Sequence, residues 1–418
     1  MYLKKLKLTN VKCFNNLSLD FTNEDDKPKK CSVLLGNNGT GKSTILKSIA
    51  LLIGGSSALG ELLGKPASWV SKGCEQCTIE GVMVTAKNEE RHISISFGPK
   101  DSLYKILEHN RESLIELDEA LEHTERNYLI TGYGVSRNSM REGFHKRSSH
   151  YSSQRAESVA TLFNNEASLY PIESWAIDLD YQENTEQLAV IEKVLSAFLP
   201  DAHFKRIDRK RKELVFELYG KEVYLDELSD GYQVTTNWIG DLLYRISKIF
   251  YNHKQPLNAR FILLIDEIGL HLHPEWQRQI LGFITKNFCN CQIIATTHSP
   301  FVAQQAGKGE LTTLENNNGV INATVYEGEP HKLLLTQIIT SKIFNLPTDE
   351  SVEVEEKKKE LDLLENKKDK TQNEKKRHKK IKKELEDIPL RGERIKGVSD
   401  EYLKLVRDMN QTFKKFNE

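Results

Sequence analysis

Hydrophobic positions recur with two periods along this chain, and the alternation between them predicts an α/β protein. Tyr2, Leu3, Leu6 and Leu8, then Leu17, Leu19 and Phe21, lie in short alternating runs that read as strands. Residues 31–35, Cys31-Ser32-Val33-Leu34-Leu35, read as a short strand of the buried kind. They lead into a glycine-rich stretch at 36–41, after which Ile45, Leu46, Ile49, Leu52 and Ile53 return at helical spacing. Further along, the pattern predicts a hairpin over 77–84 and 91–97, a helix over 102–124 and a short strand at 128–131. It then predicts a helix over 184–199 and a hairpin turning at Gly220. A helix from about Gly231 to Tyr251 is followed by a strand over 261–265, a helix over 274–287 opened by Pro274, a strand over 291–296 and a helix over 299–305. Two strands near 310–326 and a helical stretch over 352–388 complete the reading.

Composition bounds what such a chain can be. Its 418 residues allow two or three domains. Apolar residues at 38% suffice for a sizeable core, and 59 Lys/Arg against 60 Asp/Glu rule out a uniformly basic coat for nucleic acid. No apolar run is long enough to span a bilayer, the first residues lack a signal peptide's pattern, and six cysteines are too few for a disulfide scaffold. The expectation is a cytoplasmic, reduced protein with no membrane partner.

The near-neutral total hides segregation. Residues 351–418 hold 20 Lys/Arg and 16 Asp/Glu, and 367–383 alone hold ten Lys/Arg against Asp369 and Glu374. Residues 136–155 carry six Ser with Arg137, Arg141, Lys146, Arg147 and Arg155 and few apolar residues, which predicts a mobile loop. The expected organisation is a head made of two lobes, 1–53 and 200–330. An insertion, 54–199, carries the basic, Ser-rich loop, and a helical C-terminal region, 331–418, carries the basic block at 367–383.

The chemistry concentrates at predicted strand ends. Gly36-Asn37-Asn38-Gly39-Thr40-Gly41-Lys42-Ser43, continued by Thr44, follows a strand and opens a helix, as a P-loop does. Its glycines let backbone amides converge on phosphate and the helix N-terminus adds its positive end, so ATP is the expected ligand. Lys42 reaches phosphate oxygens and the Ser43 hydroxyl is a hard ligand for Mg²⁺. The apolar run 261–265 ends in Asp266 and Glu267, one carboxylate suited to the metal and one to polarising the attacking water. The run 293–297 delivers His298 toward the same edge, where an imidazole can bond a γ-phosphate. Ser229 and Gly231 stand before a helix, 37 residues ahead of Asp266. That separation favours their serving the nucleotide of a second chain in a head-to-tail homodimer or higher oligomer.

In this order, Walker A (36–43), a signature read as LSDGYQ (228–233), Walker B (261–267) and His298 resemble the ABC ATPase family over most of residues 1–305. The opening strand (Leu6-Lys7-Leu8-Thr9-Asn10-Val11) and the Gly-Asn-Asn-Gly loop are similar to RecF- and SMC-like members. Leu270-His271-Leu272-His273-Pro274 is similar to the OLD-type members. Tyr133-Gly134-Val135-Ser136-Arg137, with Thr161-Leu162-Phe163 and Glu173-Ser174-Trp175, resembles the PtuA ATPases of Septu and retron-associated anti-phage systems. The resemblance implies a P-loop ABC-ATPase head and ATP hydrolysis. It also implies a sensor or regulator role in defence beside a separate nuclease, with nucleic acid as a further partner. A RecF-like repair ATPase and an ATP-bound scaffold with little turnover are the alternatives.

Some positions depart from the family pattern. Asp230 and Tyr232 change the signature, and no Gln stands where the Q-loop is expected: Tyr133–Arg137 occupies that place, with Gln76 as another candidate. The only Asp-x-Asp, at Asp178 and Asp180, reads as a solvated helix or turn rather than a nuclease metal site. Cys74, Cys77, Cys289 and Cys291 read as ordinary thiols more readily than as a zinc site.

Overall fold

The computed structural model describes residues 1–85, 87–122, 128–137, 151–199, 201–367 and 369–386. Its strands are β1 (Tyr2–Val11), β2 (Phe14–Asp20), β3 (Cys31–Gly36), β4 (Cys77–Val84), β5 (Glu90–Phe97), β6 (Leu129–Tyr133), β7 (Ala202–Asp208), β8 (Glu213–Leu218), β9 (Lys221–Tyr224), β10 (Phe261–Ile265), β11 (Cys291–Thr297), β12 (Leu311–Asn317) and β13 (Val320–Val325). They form an antiparallel sheet β2-β1-β4-β5, a central sheet β13-β12-β3-β11-β10-β6 and a small sheet β7-β8-β9. All neighbours in the central sheet are parallel except β12 and β13.

A strand turns alternate side chains to opposite faces, so a parallel strand covered on both sides carries apolar residues on both. The central strands do so, with buried polar positions at Ser32, Thr131, Gln292, Thr296 and Thr297. Val33, Leu35, Leu263, Ile265, Ile293 and Ala295 enter one core with the helix Asp230–Ile249, through Trp238, Ile239 and Leu242. Leu34, Ile262, Leu264 and Ile294 enter the other core with Ile45, Leu46 and Ile49 of the helix Lys42–Ile53 and with the inner face of the antiparallel sheet. Each such fully buried aliphatic side chain is worth about 1.5–3 kcal/mol relative to exposure.

The order β3-β11-β10-β6 has a direct consequence for the site. Three predicted functional segments follow adjacent parallel strands: the P-loop after β3, His298 after β11 and the acidic pair after β10. Carboxyl ends of parallel strands are where α/β sheets bind ligands.

Three expectations change. Residues 54–199 are not a separate insertion: β4 and β5 pair onto β1, and β6 forms the edge of the central sheet beside β10. The strand pattern was visible in sequence, but its partners lie far away along the chain. The compact body runs Met1–Asn345, past the boundary expected at 330, and Leu346–Glu418 is a second unit. The helix expected over 102–124 is two, Leu103–His109 and Arg111–Glu122. Buried Asn110 breaks it, because its side chain bonds both backbone groups of Ser96 on β5.

The expected mobile loop 136–155 also departs at both ends. Arg137 is buried, and the helix Gln154–Phe163 starts inside it, capped by Ser153; 138–150 lie outside the described residues. The second unit contains the helices Val352–Glu365 and Gln372–Glu386, packed on each other with Ile381 fully buried. Among the described residues no helix is long and apolar enough to cross a membrane.

Candidate active site

The P-loop geometry follows from its glycines. Gly39 and Gly41 have φ of +83° and +84°, the left-handed region that side chains disfavour. At Gly41 space is lacking as well, since an added Cβ would meet the Phe14 ring at 2.4 Å and Cys13 Sγ at 2.7 Å. Thr40 closes the loop through a bond from its hydroxyl to the Asn37 carbonyl (2.8 Å). The helix Lys42–Ile53 then begins with no capping side chain and no acidic residue in its first turn, so its leading amides and positive end face the loop. Ser43 and Thr44, half-buried, stand in that first turn.

Lys42 is 7% exposed, and burial lowers its ammonium's pKa against the opposing pull of Glu267 and Asp266. Its Nζ donates to the Gly36 carbonyl at 2.8 Å and lies 2.8 Å from His298 Nε2. An ammonium can only donate, so Nε2 accepts there and the ring proton sits on Nδ1. The same Nε2 lies 3.4 Å from Glu267 Oε1. One nitrogen cannot accept from Lys42 and donate to Glu267 together, so the ring has two alternative partners across the strand ends.

The acidic pair is held by its backbone and by β11. The Asp266 amide donates to the Tyr133 carbonyl of β6, and its Oδ1 accepts from Thr296 Oγ1 at 2.6 Å. The Glu267 amide donates to the same Thr296 oxygen at 2.8 Å, and its Oε2 accepts from the His298 amide at 3.1 Å. Glu267 has φ of +50°, a left-handed conformation rare for a residue with a side chain.

Arg137 secures that turn. It is 3% exposed, donates from Nε to the Gly134 carbonyl at 2.9 Å, and donates from Nη2 to the carbonyls of Asp266 and Glu267. Burial lowers its pKa to about 10 against the pull of Asp266 and Glu267, which still leaves it charged at neutral pH. Arg137 and Thr296 are the site residues that residue-by-residue reading missed. The Tyr133–Arg137 motif was the available signal, and it follows β6 at the place where a Q-loop was expected.

Ser229 and Gly231 are not part of the Lys42–His298–Glu267 cluster. Ser229 is exposed, its hydroxyl makes no cap to the helix Asp230–Ile249 that it precedes, and a Cβ at Gly231 would lie 2.7 Å from the His271 carbonyl. Gln76 precedes β4 in the antiparallel sheet. Asp180 lies on the helix Ile172–Tyr181 and pairs with Arg209, and the six cysteines are free. Among the described residues no group of three or more His, Cys, Asp or Glu is placed to hold a metal ion.

This geometry meets a family pattern that covers half of the chain: residues 93–303 match the model described as "AAA domain, putative AbiEii toxin, Type IV TA system". The chain belongs to this AAA family. Residues 1–169 match a second description, "AAA ATPase domain". Together with the motif order and the fold, these matches make the chain an ABC-like ATPase, the class expected from its motifs.

Among curated relatives, the Septu protein PtuA of Bacillus mycoides (strain KBAB4) is 27% identical over 82% of this chain and 45% of its own length. "Retron Ec83 probable ATPase" of Escherichia coli is 33% identical over 32% of this chain and 25% of its own. The Septu protein PtuA of Bacillus thuringiensis is 22% identical over 75% of this chain and 76% of its own. The chain thus spans less than half the length of the first two of these relatives. In fold, it is similar to an Smc head crystallised with the C-terminal winged-helix domain of ScpA, with a TM-score of 0.50 and 14% identity over 78% of this chain and 98% of that one.

Proposed function

We propose that this AAA-family protein binds and hydrolyses ATP with Mg²⁺ at the edge formed by β3, β11 and β10. The observation that carries the reading is the contiguous set Lys42–His298–Glu267 at the ends of three adjacent parallel strands, beside an open helix N-terminus. The P-loop amides from Gly36 to Thr44 and the Lys42 ammonium bind the phosphates. A γ-phosphate competes for Lys42 and frees His298 Nε2 from it, so the imidazole registers that phosphate. Glu267, oriented by the His298 amide and by its own constrained backbone, takes the proton of the attacking water.

The Ser43 hydroxyl and Asp266 carboxylate are hard oxygens that fit Mg²⁺, which supplies positive charge to the phosphates. Arg137 and Thr296 position the acidic turn. Ser229, exposed and making no cap in its own chain, and the amide near half-buried Gly231 serve the nucleotide of a second copy, so that ATP closes a head-to-tail dimer.

The similarity to PtuA and retron ATPases supports a role as sensor or regulator in anti-phage defence, acting with a separate nuclease. The experiment compares two variants. Lys42→Ala is expected to lose ATP binding, and Glu267→Gln to keep binding while turnover falls about 10²-fold or more. Both should abolish protection against phage; protection that survives Glu267→Gln would instead assign ATP the part of structural glue.

A further inference from the structure

The basic block is sorted by the helical hairpin into two faces. On the helix Gln372–Glu386, the side turned to Val352–Glu365 has Arg377 bonded twice to Glu360 (2.8 Å each), Glu384 paired with Lys357 at 3.0 Å and His378 at 3.4 Å from Glu365, around buried Ile381. Lys367 pairs with Glu374 at the turn, and Lys380 lies 3.9 Å from Glu384. Lys375, Lys376, Lys379, Lys382 and Lys383 remain, all exposed, and among the described residues none has an ion-pair partner. At 100° per residue the five fall within an arc of about 120°, and from Lys375 to Lys383 they span about 12 Å.

These lysines repel one another at the spacings 375/379 and 379/383, each like pair costing the helix a few tenths of a kcal/mol. A face of this kind gains when a counter-charged surface lies against it. Lysine is depleted from protein interfaces, whose energy comes from buried aromatic and Arg anchors, and this face has none. Membrane-surface helices need an apolar face, and here Ile381 points into the hairpin. A nucleic-acid duplex fits best: it presents roughly seven phosphate charges over the same 12 Å. Without aromatic side chains there is no base stacking, so contact is with the backbone alone.

We propose that the face Lys375–Lys376–Lys379–Lys382–Lys383 docks the phosphodiester backbone of a nucleic-acid duplex, without reading its sequence. This does not depend on the ATPase reading, because none of these residues belongs to the nucleotide site.

The test is fluorescence anisotropy of the full chain with labelled DNA and RNA duplexes of about 20 base pairs, from about 50 to about 200 mM salt. Lys375→Gln/Lys379→Gln/Lys382→Gln is compared with wild type and with a charge-matched control, Lys65→Gln/Lys72→Gln/Lys87→Gln. The triple variant should bind at least about tenfold more weakly at the low-salt end, with a log–log salt slope shallower by about 3, while the control stays near wild type. Helical content by circular dichroism and basal ATP turnover should not move. If the triple variant loses helix, Lys376→Gln/Lys383→Gln takes its place, with a slope change of about 2. Binding to either duplex with this dependence upholds the proposal, and the two arms tell DNA from RNA. It is overturned by no duplex binding in wild type, by binding that the variant leaves unchanged, by an equal loss in the control, or by attachment to anionic vesicles alone.

Discussion

At the scale of the residue, Arg137 holds the shape of the turn that carries Asp266 and Glu267. Its guanidinium spans three carbonyls, two of them belonging to Asp266 and Glu267, and Glu267 occupies a left-handed conformation that costs about 1–3 kcal/mol unless its surroundings impose it. Arg137→Ala should therefore leave buried acceptors unpaired and let the Glu267 carboxylate drift. A displacement of about 1 Å at a reacting group is worth about 10²-fold in rate. The expected result is kcat for ATP lowered by about 10²-fold, with binding of a non-hydrolysable analogue changed less than about threefold.

Arg137→Lys should not rescue, because an ammonium cannot reproduce the planar fork; steady-state kinetics and calorimetry on both variants check this. The sequence marks Lys42, Asp266, Glu267 and His298 because each ends a recognisable strand or opens a recognisable helix. Arg137 closes the Tyr133–Arg137 motif, but four residues past the strand. It stands at the head of a Ser-rich, basic stretch, and composition predicted mobility for a side chain that the fold buries.

At the scale of the element, the helix Asp230–Ile249 is tied to β6 by a buried polar network. Asp241 accepts from the Tyr133 hydroxyl and from Arg245 Nε, both at 2.8 Å, and from the Tyr170 amide at 2.9 Å. Burial and the adjacent Asp241 raise the pKa of Tyr133. Burial works against the Arg245 charge, and Asp241 outweighs it. β6 also carries the carbonyl that receives the Asp266 amide and leads directly to Arg137.

The network thus connects the helix behind Ser229 to the strand whose carbonyl receives the Asp266 amide. Removing one member of a buried charged pair costs about 3–5 kcal/mol, so Asp241→Ala should lose that much in urea unfolding, and Asp241→Asn, which keeps one oxygen to accept from the Tyr170 amide and an NH2 that can donate to the Tyr133 hydroxyl, distinctly less. An Asp241→Ala variant within about 1 kcal/mol of wild type would deny the network its role. The helix and β6 were both legible as apolar periodicity. Their network was not, since an Asp on a helix reads as solvent-facing until a distant Tyr and an Arg one turn on are seen to enclose it.

At the scale of the whole molecule, the near-balance of charge separates into two compact units with different chemistry. The body, Met1–Asn345, presents the P-loop, the acidic pair and His298 along one sheet edge, and Leu346–Glu418 includes a hairpin whose outer lysines have no ion-pair partner among the described residues. The parallel sheet and the order of motifs were readable in advance, because each strand is apolar enough to be covered on both faces. The reach of the body across 54–199 was not readable, because strand partners are chosen by tertiary packing rather than by neighbours in the chain.

In the proposed dimer, ATP unites two copies by placing the Ser229 edge of one on the P-loop of the other. The most direct measurement is the molar mass of Glu267→Gln by light scattering on gel filtration, with and without saturating ATP and Mg²⁺. The expected result is a shift to at least twice the mass with ATP, abolished by adding Lys42→Ala or Ser229→Arg. A mass unchanged by ATP, or a shift that survives Ser229→Arg, would contradict it.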